Sequence, residues 1–198
     1  MNWKRPSKHP INMLKNTSVF AAFVIATLTS LGSERTLNVD KTGSHVDIAV
    51  KATVDSFVAK LTDYAPSIQI DPETGTVTGA KVSFHFADVK TGNEKRDREM
   101  NAWQQTDQFP DGNFTLSALT AGTDHKFTAH GSLTLHGVAH DVAFPVTITR
   151  VGTATNVEGE AEVDTRWFGL PVIRKFAFLK VDPVVVIRFH LSGATAGQ

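Results

Sequence analysis

The segment Lys126 to Thr149, KFTAHGSLTLHGVAHDVAFPVTIT, restricts the fold more than any other part of the chain. Phe127, Ala129, Gly131, Leu133 and Leu135 alternate with Thr128, His130, Ser132, Thr134 and His136. A period of two marks a strand with one buried and one wet face. Val142, Phe144, Val146 and Ile148 resume the pattern after a break at Gly137, Val138 and Ala139, so the two arms form an antiparallel hairpin. Both arms exceed the usual strand length of about five or six residues. Continuous apolar stripes of that length suit a curved sheet wrapped around an apolar interior.

The same period recurs along the chain. Val46, Ile48, Val50, Ala52 and Val54 read as one long strand, continued by Phe57, Ala59 and Leu61 after a slip at Asp55 and Ser56. Ile68 and Ile70, then Val77, Val82, Phe84 and Phe86, flank a turn at residues 71–75. Phe114, Leu116 and Ala118 precede the central hairpin, and Val185, Ile187, Phe189 and Leu191 close the sheet. Val157 to Val163 alternates weakly among acids and reads as an edge or outward-leaning strand. One helix is expected between Thr91 and about Gln104, with Thr91 and Glu94 at capping-box spacing. Met100 and Trp103 share a face of it and dock on something apolar, which places the helix over one end of the sheet. The expectation is an all-β fold of about eight long antiparallel strands and one short helix, a closed barrel or a sandwich.

Charge is balanced, 20 basic against 20 acidic residues, which argues against a nucleic-acid surface. It is unevenly placed: Lys4, Arg5, Lys8 and Lys15 precede the apolar run Val19 to Leu31, and no acid appears before Glu34. That run is shorter than the ~20 apolar residues of a membrane span. With small residues at Ser30 and Gly32 it reads as a secretory signal, residues 1–32, cleaved near Gly32 to leave 33–198 without a stable membrane span. An uncleaved N-terminal anchor is the alternative. Export, to the periplasm, is the expected destination. The absence of cysteine leaves no thiol for a lipid anchor and no disulfides.

For chemistry the sequence offers no Gly-x-Ser-x-Gly elbow, phosphate loop, His-Glu-x-x-His or thiol nucleophile, so no catalytic residue is assigned. Asp164 with Arg166, and Arg96 with Asp97, read as ion pairs fixing a corner and a helix start. His136 and His140 carry a rival metal-binding reading. They stand ~13 Å apart along a continuous strand, but about 5 Å apart if the Gly137 turn sets them opposite each other. Exposed histidines on wet strand faces are the plain alternative.

Three segments, RDREMNAWQQTDQFPDGNFTL, GSLTLHGVAHDVAFPV and DTRWFGLP, resemble in order and spacing the YceI-like family of polyisoprenoid- and lipid-binding exported proteins. The resemblance covers Leu37 to Ser192. It departs where His45 follows Ser44 rather than preceding it, where Ala52 fills a histidine's usual place, and where the helix and the residues just after it carry Met100, Trp103 and three glutamines. The resemblance implies an extended lipocalin-like antiparallel barrel holding an isoprenoid or fatty chain. The interior contacts it implies are Val46, Ile48 and Val50; Phe84 and Phe86; Met100; Phe114 and Leu116. The second half of the chain adds Phe127, Leu133, Leu135, Phe144, Phe168, Ile187 and Phe189. Trp103 and Trp167 suit the mouth, since an indole tolerates one wet edge. Periodicity alone leaves open whether these side chains fill the barrel, as a structural module, or line a cavity. The expected partner is a long-chain apolar small molecule, with no other cofactor; a homodimer is left open.

Overall fold

The computed structural model describes residues 34–71, 73–175 and 179–195, with Met1. The basic lead, the apolar run and the cleavage point expected near Gly32 lie outside the described residues. Residues 32–198 group into one compact unit, to which all that follows belongs.

The first half of the chain forms short strands: β1 (Arg35–Val39), β2 (His45–Val50), β3 (Phe57–Leu61), β4 (Ala65–Ile70), β5 (Val77–His85) and β6 (Val89–Lys90). The helix α1 (Glu94–Gln104) follows. Long strands then succeed one another: β7 (Asp111–Ala121), β8 (Lys126–Leu135), β9 (Val138–Val151) and β10 (Ala154–Asp164). A small hairpin of β11 (Arg174–Lys175) and β12 (Leu179–Lys180) precedes β13 (Val184–Thr195).

The sheet is antiparallel and closed. Its order is β1-β4-β5-β7-β8-β9-β10-β13-β2-β3-β6, and β1 also pairs with β13. β13 holds β2 along Val186 to His190 and β1 along Gly193 to Thr195, on the same edge. β1 and β2 are thus two lengths of one staves' position, interrupted by the turn at residues 41–43. β3 with β4, and β5 with β6, share positions in the same way, since β2 pairs with β3, β1 with β4, β3 with β6 and β4 with β5. Counting each divided pair once gives an eight-stranded barrel, the size at which an interior is either filled or holds one small ligand.

Three local expectations are corrected. The strand drawn through Ala52 and Val54 ends at Val50, because the chain leaves the barrel there to join the β12 segment: Ala52 bridges Val181 and the Thr53 amide donates to Lys180 O. Val157 to Val163 is no edge. β10 pairs with β9 on one side and along its whole length with β13 on the other. Between its inward Val157 and Val163 stand the small Gly159 and Ala161, and Phe189 packs against Gly159. The cap of α1 is Asn93, whose side chain accepts from the Arg96 amide. Thr91 instead donates from its amide and hydroxyl to Asp97 Oδ1.

α1 lies over the barrel end formed by the β2–β3, β8–β9 and β10–β11 connections. Arg96 reaches Asp55 between β2 and β3 at 2.8 Å, and Trp103 Nε1 donates to Pro171 O after β10 at 2.8 Å. Gln105 Oε1 stands 3.4 Å from His136 Nε2 in the β8–β9 turn. Helix docking therefore rests on three different connections. Among the described residues no helix is long and apolar enough to cross a membrane.

Candidate functional site

The inward faces do not meet. They enclose a cavity of about 760 Å³ running from α1 and residues 171–174 and 179–183 down to Ile68, Val77 and Ile148. That exceeds by far the ~150 Å³ that accommodates a benzene, and falls within the ~300–1,000 Å³ of small-molecule sites. The walls are almost wholly aliphatic and aromatic; charged groups, among them Asp55, Arg96, Glu99 and Arg174, gather at the α1 end.

Glycines explain how so many phenylalanines leave a hollow. Phe84 pairs across strands with Gly112, and Phe189 with Gly159. A Cβ added at either glycine would stand 2.3 Å from the Phe84 ring or 2.5 Å from the Phe189 ring. The rings therefore lie back over gaps in the wall, and a ring over a cross-strand glycine also restores the packing that the glycine lacks. The Phe114 ring does the same at Gly131.

Of the residues expected from the sequence, Val46, Ile48, Val50, Phe84, Phe86, Met100 and Trp103 stand on the cavity wall. So do Phe114, Leu116, Leu133, Leu135, Phe144, Ile187 and Phe189. Three do not. Phe127 packs against the cluster of Ala129, Phe144, Val146 and Ala161. Phe168 is 0% exposed and is core, enclosed with Leu133, Val163 and Leu170. Trp167, expected at the mouth, is absent from the cavity wall, 42% exposed and stacked on the His140 ring at 4.4 Å. The reason is the short 3-10 turn Thr165–Phe168, which turns successive side chains in different directions rather than to alternate faces. Missed from the sequence were Gln104 and the wall contributed by Val172, Ile173, Leu179 and Val181. The run of apolar residues 170–173 was the available signal for the second of these.

The metal reading fails on register. Leu133, not His136, stands opposite His140, because the hairpin turn consists of His136 and Gly137 themselves, both with positive φ (49° and 71°). His136 Nδ1 is 3.0 Å from Phe168 O and its ring meets Phe109 edge-on at 4.4 Å. Among the described residues no three His, Cys, Asp or Glu side chains group as metal ligands.

The corner after β10 is electrostatically fixed. Asp164 Oδ1 accepts from the Arg166 amide at 3.0 Å and from its Nε at 2.9 Å. These Arg166 hydrogen bonds hold the Asp164 carboxyl below the usual aspartate value, although burial acts in the opposite direction. At the α1 end, the Arg96 guanidinium lies 4.1 Å from the centre of the Phe57 ring while paired with Asp55. That arrangement covers one face of the Phe57 ring with a paired guanidinium at the charged end of the cavity.

The model of the YceI-like domain matches residues 37–193. The chain belongs to the YceI-like family. Among solved structures, BcnA of Burkholderia cenocepacia superposes with a TM-score of 0.71 at 21% identity, covering 79% of this chain and 100% of that one. A polyisoprenoid-binding domain from Saccharophagus degradans gives 0.63 at 18% identity, over 81% of this chain and 98% of that one. The YceI protein of Campylobacter jejuni gives 0.62 at 17% identity, over 73% and 88%. At these identities the likeness to the three is one of fold. No curated protein matches the chain. The matched residues reach from β1 into β13, so the whole closed ring of strands, with α1, falls within the YceI-like domain but for the first residues of β1 and the last of β13.

Proposed function

We propose that the protein is an exported, non-enzymatic carrier that holds one long apolar molecule, an isoprenoid or fatty chain, inside the barrel. The observation that carries this reading is the apolar cavity of about 760 Å³ within a YceI-like fold. The polyisoprenoid-binding domain among the similar structures supports it. The energetics favour length. A buried methylene contributes ~0.8 kcal/mol and a five-carbon isoprene unit about 4 kcal/mol gross, against an association cost of ~4–15 kcal/mol. Several units are needed for tight binding, so a deep channel selects long chains. Export rests on the basic lead and apolar run; the periplasm is the compartment in which such a carrier would work.

Organic extraction of the purified protein followed by mass spectrometry tests the carrier reading. An isoprenoid or fatty compound is expected in the extract, or uptake of an isoprenoid quinone or fatty acid by the emptied protein. Recovery of neither, with no uptake, overturns it. Export has its own test: N-terminal sequencing of the mature protein from the periplasmic fraction, with a start near Ser33 expected.

A further inference from the structure

α1 ends on a residue at odds with the cavity it borders. Gln104 is 0% exposed, stands on the cavity wall, and neither its Oε1 nor its Nε2 has a hydrogen-bond partner. A buried amide in that position has lost its hydration and recovered nothing, which folded proteins seldom tolerate without a purpose. Helix formation does not require it: Leu and Met have similar helix propensity and would occupy the space without desolvating an amide. Nor does helix docking, since the neighbours on either side are already held, Trp103 by Pro171 O and Gln105 as the left-handed cap beside His136.

We infer that Gln104 is the polar recognition residue of the cavity, pairing with an uncharged oxygen-bearing group, a hydroxyl or carbonyl, carried by the long apolar ligand. The inference rests on the carrier reading and narrows its ligand class. A primary amide offers two donors and one acceptor and no net charge. It can therefore satisfy a hydroxyl or carbonyl in full, whereas it brings no charge of its own to offset the desolvation of an ion, and Arg96 at this end is already paired with Asp55. The three torsions of glutamine let the amide swing into the channel when such a group arrives. A chain lacking oxygen leaves the amide unpaired, so the residue discriminates between two molecules of the same length.

The test compares 1-hexadecanol with hexadecane, both delivered from cyclodextrin, by tryptophan fluorescence titration of the wild type, Q104L and Q104M. Comparing each probe between proteins cancels its partitioning from water. Expected is a loss of about tenfold in hexadecanol affinity in both variants, the worth of one hydrogen bond, with hexadecane unchanged or tighter. The ligand-free variants should unfold at or above the wild-type temperature, because a buried unpaired amide has been removed. Equal effects on the two probes, or none on hexadecanol, overturn the role of Gln104 while leaving the carrier reading intact. Failure of both probes to bind the wild type overturns the carrier reading and this inference together.

Discussion

Trp167 and Phe168 are adjacent, both aromatic, and have opposite environments: one stacked on His140 at the surface, the other sealed among Leu133, Val163 and Leu170. Substitution separates them. Phe168→Ala should destabilise the protein by about 3–5 kcal/mol, as for other buried Phe truncations. Trp167→Ala should remove little more than the stacking contribution of ~0.5–1.5 kcal/mol. Urea unfolding midpoints measure both. Asp164 predicts a pH effect. Its carboxyl is held below the ordinary value by Arg166, so its stabilisation is complete above the unfolded-state value near ~4 and is lost as pH falls through the depressed native value. D164N should therefore be less stable than the wild type at neutral pH, and the two should converge on acidification below pH ~4. A difference that persisted unchanged to low pH would refute this. Single residues are where the sequence was least readable. Nothing in the spacing of Met100, Trp103 and Gln104 distinguishes the buried amide from a solvated one, because its burial is decided by strands remote in sequence.

Elements were more legible where one period ran uninterrupted. The β8–β9 hairpin follows its alternation residue by residue, and β13 does the same, whereas β7 keeps it only to Leu116: a bulge between Leu116 and Ala118 turns Ala118, expected on the inner face, outward and brings Leu119 to the cavity wall. β10 misled because charge hid its role: Glu158, Glu160 and Glu162 occupy outward positions, while Gly159 and Ala161 are small where rings approach from other strands. A strand whose inner face is small reads as weakly amphipathic even when it is central. The β8–β9 turn carries a prediction of its own. Gly137 has φ +71°, and an added Cβ would meet the Phe109 ring at 2.9 Å. Left-handed backbone alone costs a non-glycine residue roughly 1–2 kcal/mol. Gly137→Ala should lower stability by at least that amount, read by thermal unfolding, and His136→Gly should not add the same strain.

At the scale of the molecule, a barrel was readable from the sequence but a hollow was not. Inward stripes are required whether side chains interdigitate or stand apart, and the difference lies in cross-strand pairing of rings with glycines, which depends on register. Filling the space should therefore separate stability from binding. Ala161 faces the cavity, and Ala161→Phe places a ring in it. The variant should fold with a change of at most about 1–3 kcal/mol and lose the extracted lipid. Full lipid content in that variant would place the ligand elsewhere.

β1 meets β13 over three register pairs, Leu37 with Thr195, Asn38 with Ala194 and Val39 with Gly193, and meets β4 over only two. A hoop fastened so briefly at one place should loosen there first. Amide hydrogens of Leu37 to Val39 should exchange with solvent deuterium sooner than those of β8 and β9, a contrast that mass spectrometry of peptic fragments resolves. The same hem gives the vessel a second way of yielding: a bulky guest too wide for the α1 end would have a short latch to lift rather than a long wall to break.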